Sequence, residues 1–168
     1  MRNGLVSAFI RIHALYKKQA SIQLLLLRGL RQLLDCNYTR SHVIQDLSIV
    51  EICFTIAYLH MHSIQHIELA SHCITQCIRN EACIKIVLSH AMVGYLITFC
   101  QKYSKSVLLI RSTLKLFTWM STNQSRLDYV CDLKAVQTTI HSIRRHRRCC
   151  EILGPGIGEM IDAISTIS

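Results

Sequence analysis

Apolar positions along the chain follow a pattern that repeats. A polar or small residue, an apolar pair, a short gap and a second apolar pair form Gly4-Leu5-Val6 with Phe9-Ile10, Ser48-Ile49-Val50 with Cys53-Phe54, and Ala91-Met92-Val93 with Leu96-Ile97. Lys134-Ala135-Val136 with Thr139-Ile140 is a weaker fourth copy, and the offsets between copies are 44, 43 and 43 residues. Each copy is followed by a polar or basic break, at Tyr16 to Gln19, His60 to Ser63, Gln101 to Ser104 and Arg144 to Arg148. A second apolar-periodic stretch comes next: Leu27, Leu30 and Leu33; Ala70 or Ser71, Ile74 and Cys77; Thr113, Phe117 and Met120; Gly156, Met160 and Ala163. Spacings of three and four place such residues on one face of a helix. A shorter helix is predicted ahead of each later copy, over Arg40 to Asp46, Glu81 to Ser89 and Arg126 to Asp132. Asn37, Asn80 and Asn123 stand at or just before these segments, where a capping side chain is expected.

A short helix followed by two longer ones, recurring every 43 to 44 residues, resembles the armadillo repeat, with the HEAT repeat as runner-up. The most specific segment is Gly4-Leu5-Val6-Ser7-Ala8-Phe9-Ile10, which is similar to the opening of an armadillo second helix. The resemblance implies an all-α fold, a right-handed α-solenoid running over residues 1–168 as one domain. Its units would be a partial repeat over 1–36, repeats over 37–79 and 80–122, and a degenerate terminal repeat over 123–168. Ser48, Ala91 and Lys134 replace the glycine of the first copy, which predicts a less sharp turn there. Gly154-Pro155-Gly156 falls where a third helix should run and breaks it. The chain opens inside a repeat and without a polar cap, so the expectation is a piece or isoform of a longer solenoid, or self-association through the exposed end.

In armadillo proteins the third helices line a concave groove, and an asparagine at a fixed position often clamps an extended peptide. That position falls on Gln32, Gln76, Trp119 and Asp162. All four lack the asparagine, so the resemblance does not imply a strict asparagine ladder. Gln32 and Gln76 keep an amide, and Trp119 offers an aromatic face. The preceding groove position carries Arg28, His72, Lys115 and Gly158, a mostly basic row suited to an acidic extended or helical segment of a protein partner. The competing reading is that these are ordinary solvated positions on helix faces.

Composition agrees with a folded helical chain: 51% hydrophobic, 17% charged, six glycines and one proline. The nine cysteines are irregularly spaced among apolar residues and read as reduced thiols. The formal charge of +9 favours acidic partners. Leu24 to Leu27 is stopped by Arg28, and Val87 to Cys100 is interrupted by Ser89 and His90, so no membrane span is expected. The run Arg144, Arg145, Arg147 and Arg148 could bind phosphates, an anionic membrane or a nuclear import factor, but no aromatic residues interleave with it to stack on bases, which disfavours nucleic acid. His60, His62, His66, His72, Cys73 and Cys77 match no zinc-finger spacing, and the two cysteines fall on the expected core stripe, so neither metal nor cofactor is predicted. No phosphate loop, nucleophile with base, or carboxylate dyad stands out. The expected function is a non-catalytic scaffold or adaptor. The alternatives are a basic edge for nucleic acid or anionic membrane, and a purely structural segment. The expected location is the cytoplasm, with the nucleus second. A mitochondrial location ranks below both, although residues 1 to 34 carry Arg2, Arg11, Lys17, Lys18, Arg28 and Arg31 without an acid.

Overall fold

The computed structural model describes residues 4–89 and 92–120. Among these residues the protein is all-α, with eight helices and no strand. They are α1 Gly4–Leu15, α2 Ala20–Asp35, α3 Asn37–Val43, α4 Ser48–Leu59, α5 Ile64–Cys77, α6 Glu81–Ser89, α7 Met92–Lys102 and α8 Val107–Met120. The chain divides into two compact units, Met1–Met92 and Val93–Ser168.

In the first unit α2 packs on α5, α4 packs on both α5 and α1, and α3 returns against the end of α2. The sequence dictates these choices through its buried stripes. Leu26, Leu27, Leu30 and Leu34 of α2 are buried together, as are Ile49, Val50, Cys53, Ile56 and Ala57 of α4 and Ile67, Ala70, Cys73, Ile74 and Cys77 of α5. Burying each of the leucines and isoleucines contributes about 1.5–3 kcal/mol. α1 and α2 approach closely at Gly29, where a Cβ would stand 3.3 Å from the Phe9 ring, a few tenths of an ångström inside ordinary contact. The terminal carbonyls of α2, which no helical N–H can reach, are taken up by α3. Thr39 donates to Leu33 O, and Arg40 donates to Leu34 O and, at 3.1 Å, to Asp35 O.

The breaks between the longer helices share one set of main-chain hydrogen bonds. Tyr16 N–H donates to Ile12 O, Gln19 N–H to Tyr16 O and Gln23 N–H to Gln19 O. His60, Ser63 and Ile67 repeat this with Ile56, His60 and Ser63, and Tyr103, Ser106 and Ile110 with Phe99, Tyr103 and Ser106. The spacing between these turns is 44 and then 43 residues. The third turn therefore lies at Tyr103 to Ser106, two residues beyond the expected break, because Gln101 and Lys102 continue α7. The short helix α3 likewise begins at Asn37 and not Arg40, and Asn37 caps nothing; Cys36 holds the cap position. Asn80 does act as a cap, its Oδ1 accepting from Ala82 N–H at 3.0 Å while its amide donates to Ile44 O at 2.9 Å. At the α3–α4 corner the chain turns through 92° although Ser48 stands where glycine was expected for a sharp turn. Asp46 closes it, accepting from both the N–H and the hydroxyl of Ser48. A carboxylate there also complements the positive end of α4.

In the second unit α7 buries Val93, Leu96, Ile97, Phe99 and Cys100, and α8 buries Leu109, Ile110, Leu114, Leu116, Phe117 and Met120. Cys100 Sγ donates to Thr113 Oγ1 at 3.0 Å, tying the two helices. No helix among the described residues is long and apolar enough to cross a membrane.

Candidate functional site

The buried stripe of α2 fixes the rotation of that helix and leaves Arg28, Gln32 and Asp35 exposed on it. On α5 the corresponding stripe leaves His72 and Gln76 half-buried. Because α2 and α5 pack on each other, the four positions predicted for partner contact in this unit lie on adjacent helices. On α8, Lys115 is exposed and Trp119 is 42% exposed, which takes the indole out of the core. Asp162, Gly158 and the basic run Arg144, Arg145, Arg147 and Arg148 lie outside the described residues.

One acidic side chain in this row is absent from the sequence-based candidates. Asp35 Oδ1 meets His72 Nε2 at 2.7 Å, and Asp35 Oδ2 meets Arg31 Nε at 3.4 Å. Partial burial pulls the Asp35 carboxyl toward its neutral form, but the hydrogen bond and positive charge of His72, and then those of Arg31, outweigh burial and hold its pKa below the usual carboxylate value. The row is thus basic at Arg28 and locally neutralised at His72. The i, i+4 pairing of Arg31 with Asp35 was readable as a helix pattern. The link to His72, across 37 residues, needed the helix packing.

A second polar group sits beneath the surface where α1 meets α2. The Gln23 side chain is fully buried. Its Nε2 donates to Tyr16 O at 2.8 Å and lies 3.4 Å from His13 O, while Oε1 accepts from His13 Nδ1 at 2.9 Å. At the matching end of α5, His66 holds Ser63 Oγ at 2.8 Å and Ala20 O at 2.9 Å, one imidazole bridging α5 to the start of α2. His60 stacks beside it with ring centroids 4.6 Å apart, and its Nε2 is buried without a partner. Desolvation, and then the charge of His66, lower the pKa of His60.

Of the histidines and cysteines considered as metal ligands, His60, His66, His72, Cys73 and Cys77 are held by these contacts or buried, and His62 is exposed. Among the described residues no group of three or more His, Cys, Asp or Glu side chains converges on a metal position. Cys73 donates to Leu27 O at 3.8 Å. The thiol of Cys53 is pushed well up by its hydrogen bond with Cys73 and then by burial, and that of Cys77 by burial first. Burial raises Cys100 to about 11. Neutral buried thiols of this kind are inert packing groups. Cys36 differs: it is exposed, and hydrogen bonds from the Thr39 backbone and side chain and the Tyr38 backbone lower its pKa. Compared with family models, curated proteins and solved structures, the chain has no match.

Proposed function

We propose that this protein is a non-catalytic, armadillo-type scaffold that presents its third helices to an acidic extended or helical segment of a protein partner. One observation carries the reading: α2 and α5 pack side by side, and Arg28, Gln32, His72 and Gln76 remain at the surface while the stripes beside them are buried. Lys115 and Trp119 occupy the matching positions of α8, 43 residues further on and likewise exposed. The recurrence of one turn at Tyr16, His60 and Tyr103 supports a repeating unit. In such a stack each unit adds a short stretch of binding surface, so affinity accumulates along the partner segment.

Asp35 refines the expected partner. It draws His72 and Arg31 to itself, leaving Arg28 as the cation of α2 that takes part in neither pair. An acidic partner residue would therefore meet Arg28 first and compete with Asp35 for His72. The test is binding of the full chain to matched acidic, neutral and basic peptides, alongside a variant with Arg28, Lys115 and Trp119 all replaced by Ala. The acidic set should bind preferentially, and the variant should lose about tenfold or more in affinity with its circular dichroism unchanged. A folded variant that binds the same peptides equally well would refute the groove.

A further inference from the structure

The outer face of α1 is a second surface, unused by the row above. Leu5, Ala8, Phe9 and Ile12 stand three, four and seven residues apart, the spacing of one apolar helix stripe. Leu5 is 52% exposed, Ile12 39%, Ala8 is exposed and Phe9 half-buried. The residues 44 positions on, Ile49, Ile52, Cys53 and Ile56 of α4, are all buried. α2 and α5 compare in the same way. Ile22, Gly29 and Leu33 of α2 are half-buried, whereas their counterparts His66, Cys73 and Cys77 of α5 are buried. His66 and Cys73 reach carbonyls of α2, so this side of α5 is the one turned to α2. The side of α1 and α2 that corresponds to it has the same apolar spacing, and its residues are exposed or half-buried where those of α4 and α5 are buried.

Charge selects the occupant. Arg11 of α1 and Lys17 and Lys18 of the turn that follows are all exposed, and neither α1 nor that turn contains an acid. A second copy docked by the same face would set these cations against their own kind, whereas a helix with acidic flanks would pair with them. We propose that the outer face of α1 and α2 binds an amphipathic helix of a protein partner, its apolar stripe on Leu5, Phe9 and Ile12 and its acidic flanks toward Arg11, Lys17 and Lys18. The site is separate from the α2–α5 row and stands or falls without it.

The probe is a designed amphipathic peptide of about 18 residues, long enough to hold a helix on a surface, with a leucine stripe and glutamate flanks. A lysine-flanked sister peptide is the control. Fluorescence anisotropy with the full chain should show the glutamate peptide binding about tenfold or more tighter than the lysine peptide. Leu5→Ser combined with Ile12→Ser should abolish most of that binding with circular dichroism unchanged. Arg11→Glu, a change at an exposed position, should weaken the glutamate peptide and favour the lysine one. The Arg28, Lys115 and Trp119 triple variant should bind the peptide through the stripe nearly as wild type does. Equal binding of the two peptides, or an Arg11→Glu variant indistinguishable from wild type, would overturn the proposal. So would sedimentation of the chain as a dimer that the serine pair dissociates, which would make a second copy the occupant. Tighter association with phosphatidylserine vesicles than with the peptide, lost in the serine pair, would make it a lipid surface.

Discussion

Gln23 tests whether a buried polar knot, and not apolar packing alone, joins α1 to α2. Its side chain is fully buried and its partner His13 is 9% exposed. The residues 44 positions on are Ile67 and Ala57, both buried and apolar. Gln23→Ile alone removes the 2.9 Å bond to His13 Nδ1 and leaves that nitrogen without its partner. The Tyr16 carbonyl is less affected, because Gln19 N–H still donates to it at 2.9 Å. Leaving a buried donor unsatisfied costs about 1–3 kcal/mol, so the expected cost is about 2 kcal/mol. His13→Ala alone should cost about 2 kcal/mol for the converse reason. The double change orphans neither group, so its cost should fall to about 1 kcal/mol, a coupling of about 3 kcal/mol in the double-mutant cycle. Urea unfolding followed by far-ultraviolet circular dichroism supplies the four stabilities, and amide hydrogen exchange in α1 and α2 localises the effect. Additive costs, or a Gln23→Ile cost under about 0.5 kcal/mol, would refute the knot as a stabilising element.

Asp35→Asn should cost less than about 1 kcal/mol at neutral pH, since the carboxylate is 43% exposed and its partners are near the surface. Its lowered pKa makes its contribution present above the unfolded value of 3.8 and lost as pH falls through the folded value, so the variant should show a shallower acid-side decline in thermal midpoint. His60 also resists protonation in the fold: its contribution is full above the model-compound value of 6.5 and is lost as pH falls through the lower folded value. His60→Phe removes both that loss and the partnerless Nε2, and its melting temperature should change less than wild type between about pH 7.5 and about pH 5.5. Gly29→Ala should raise stability by about 0.5 kcal/mol in urea unfolding, because a helical alanine gains about 1 kcal/mol and the half-exposed Phe9 ring needs to give by only a few tenths of an ångström. Among the described cysteines, Cys36 should react with a maleimide first, and Cys36→Ser should remove the fast phase while Cys53, Cys73, Cys77 and Cys100 stay protected until unfolding.

The helices were legible because their apolar residues keep strict spacing. Leu27 and Leu30, Ile74 and Cys77, and Phe117 and Met120 were expected on inward stripes and are buried. The turns were less legible. Gln101 and Lys102 look like a break by polarity, yet both continue a helix as readily as a loop, and the turn falls at Tyr103. The short helix α3 begins early because Thr39 and Arg40 find acceptors at the end of α2, contacts that no local pattern records. Arg28, Gln32, Lys115 and Trp119, which the armadillo resemblance assigned to a groove, are exposed. Asp35 was missed as part of the row because a carboxylate one turn from Arg31 looks like an ordinary surface pair until α5 brings His72 to it. The Gln23–His13 knot was missed because a glutamine in a leucine-rich helix reads as a solvent position, whereas here its amide reaches the backbone of the preceding turn.

The turns at Tyr16, His60 and Tyr103 are closed by main-chain groups, and the side chains at their first position are a phenol, an imidazole and a phenol. A backbone carbonyl is common to every residue and a backbone N–H to every residue except proline, so the bend places little demand on which residues occupy it. Side chains at these tetrads can therefore be exchanged, proline apart, with the bend kept, whereas the apolar positions on either side of each bend are held by the core.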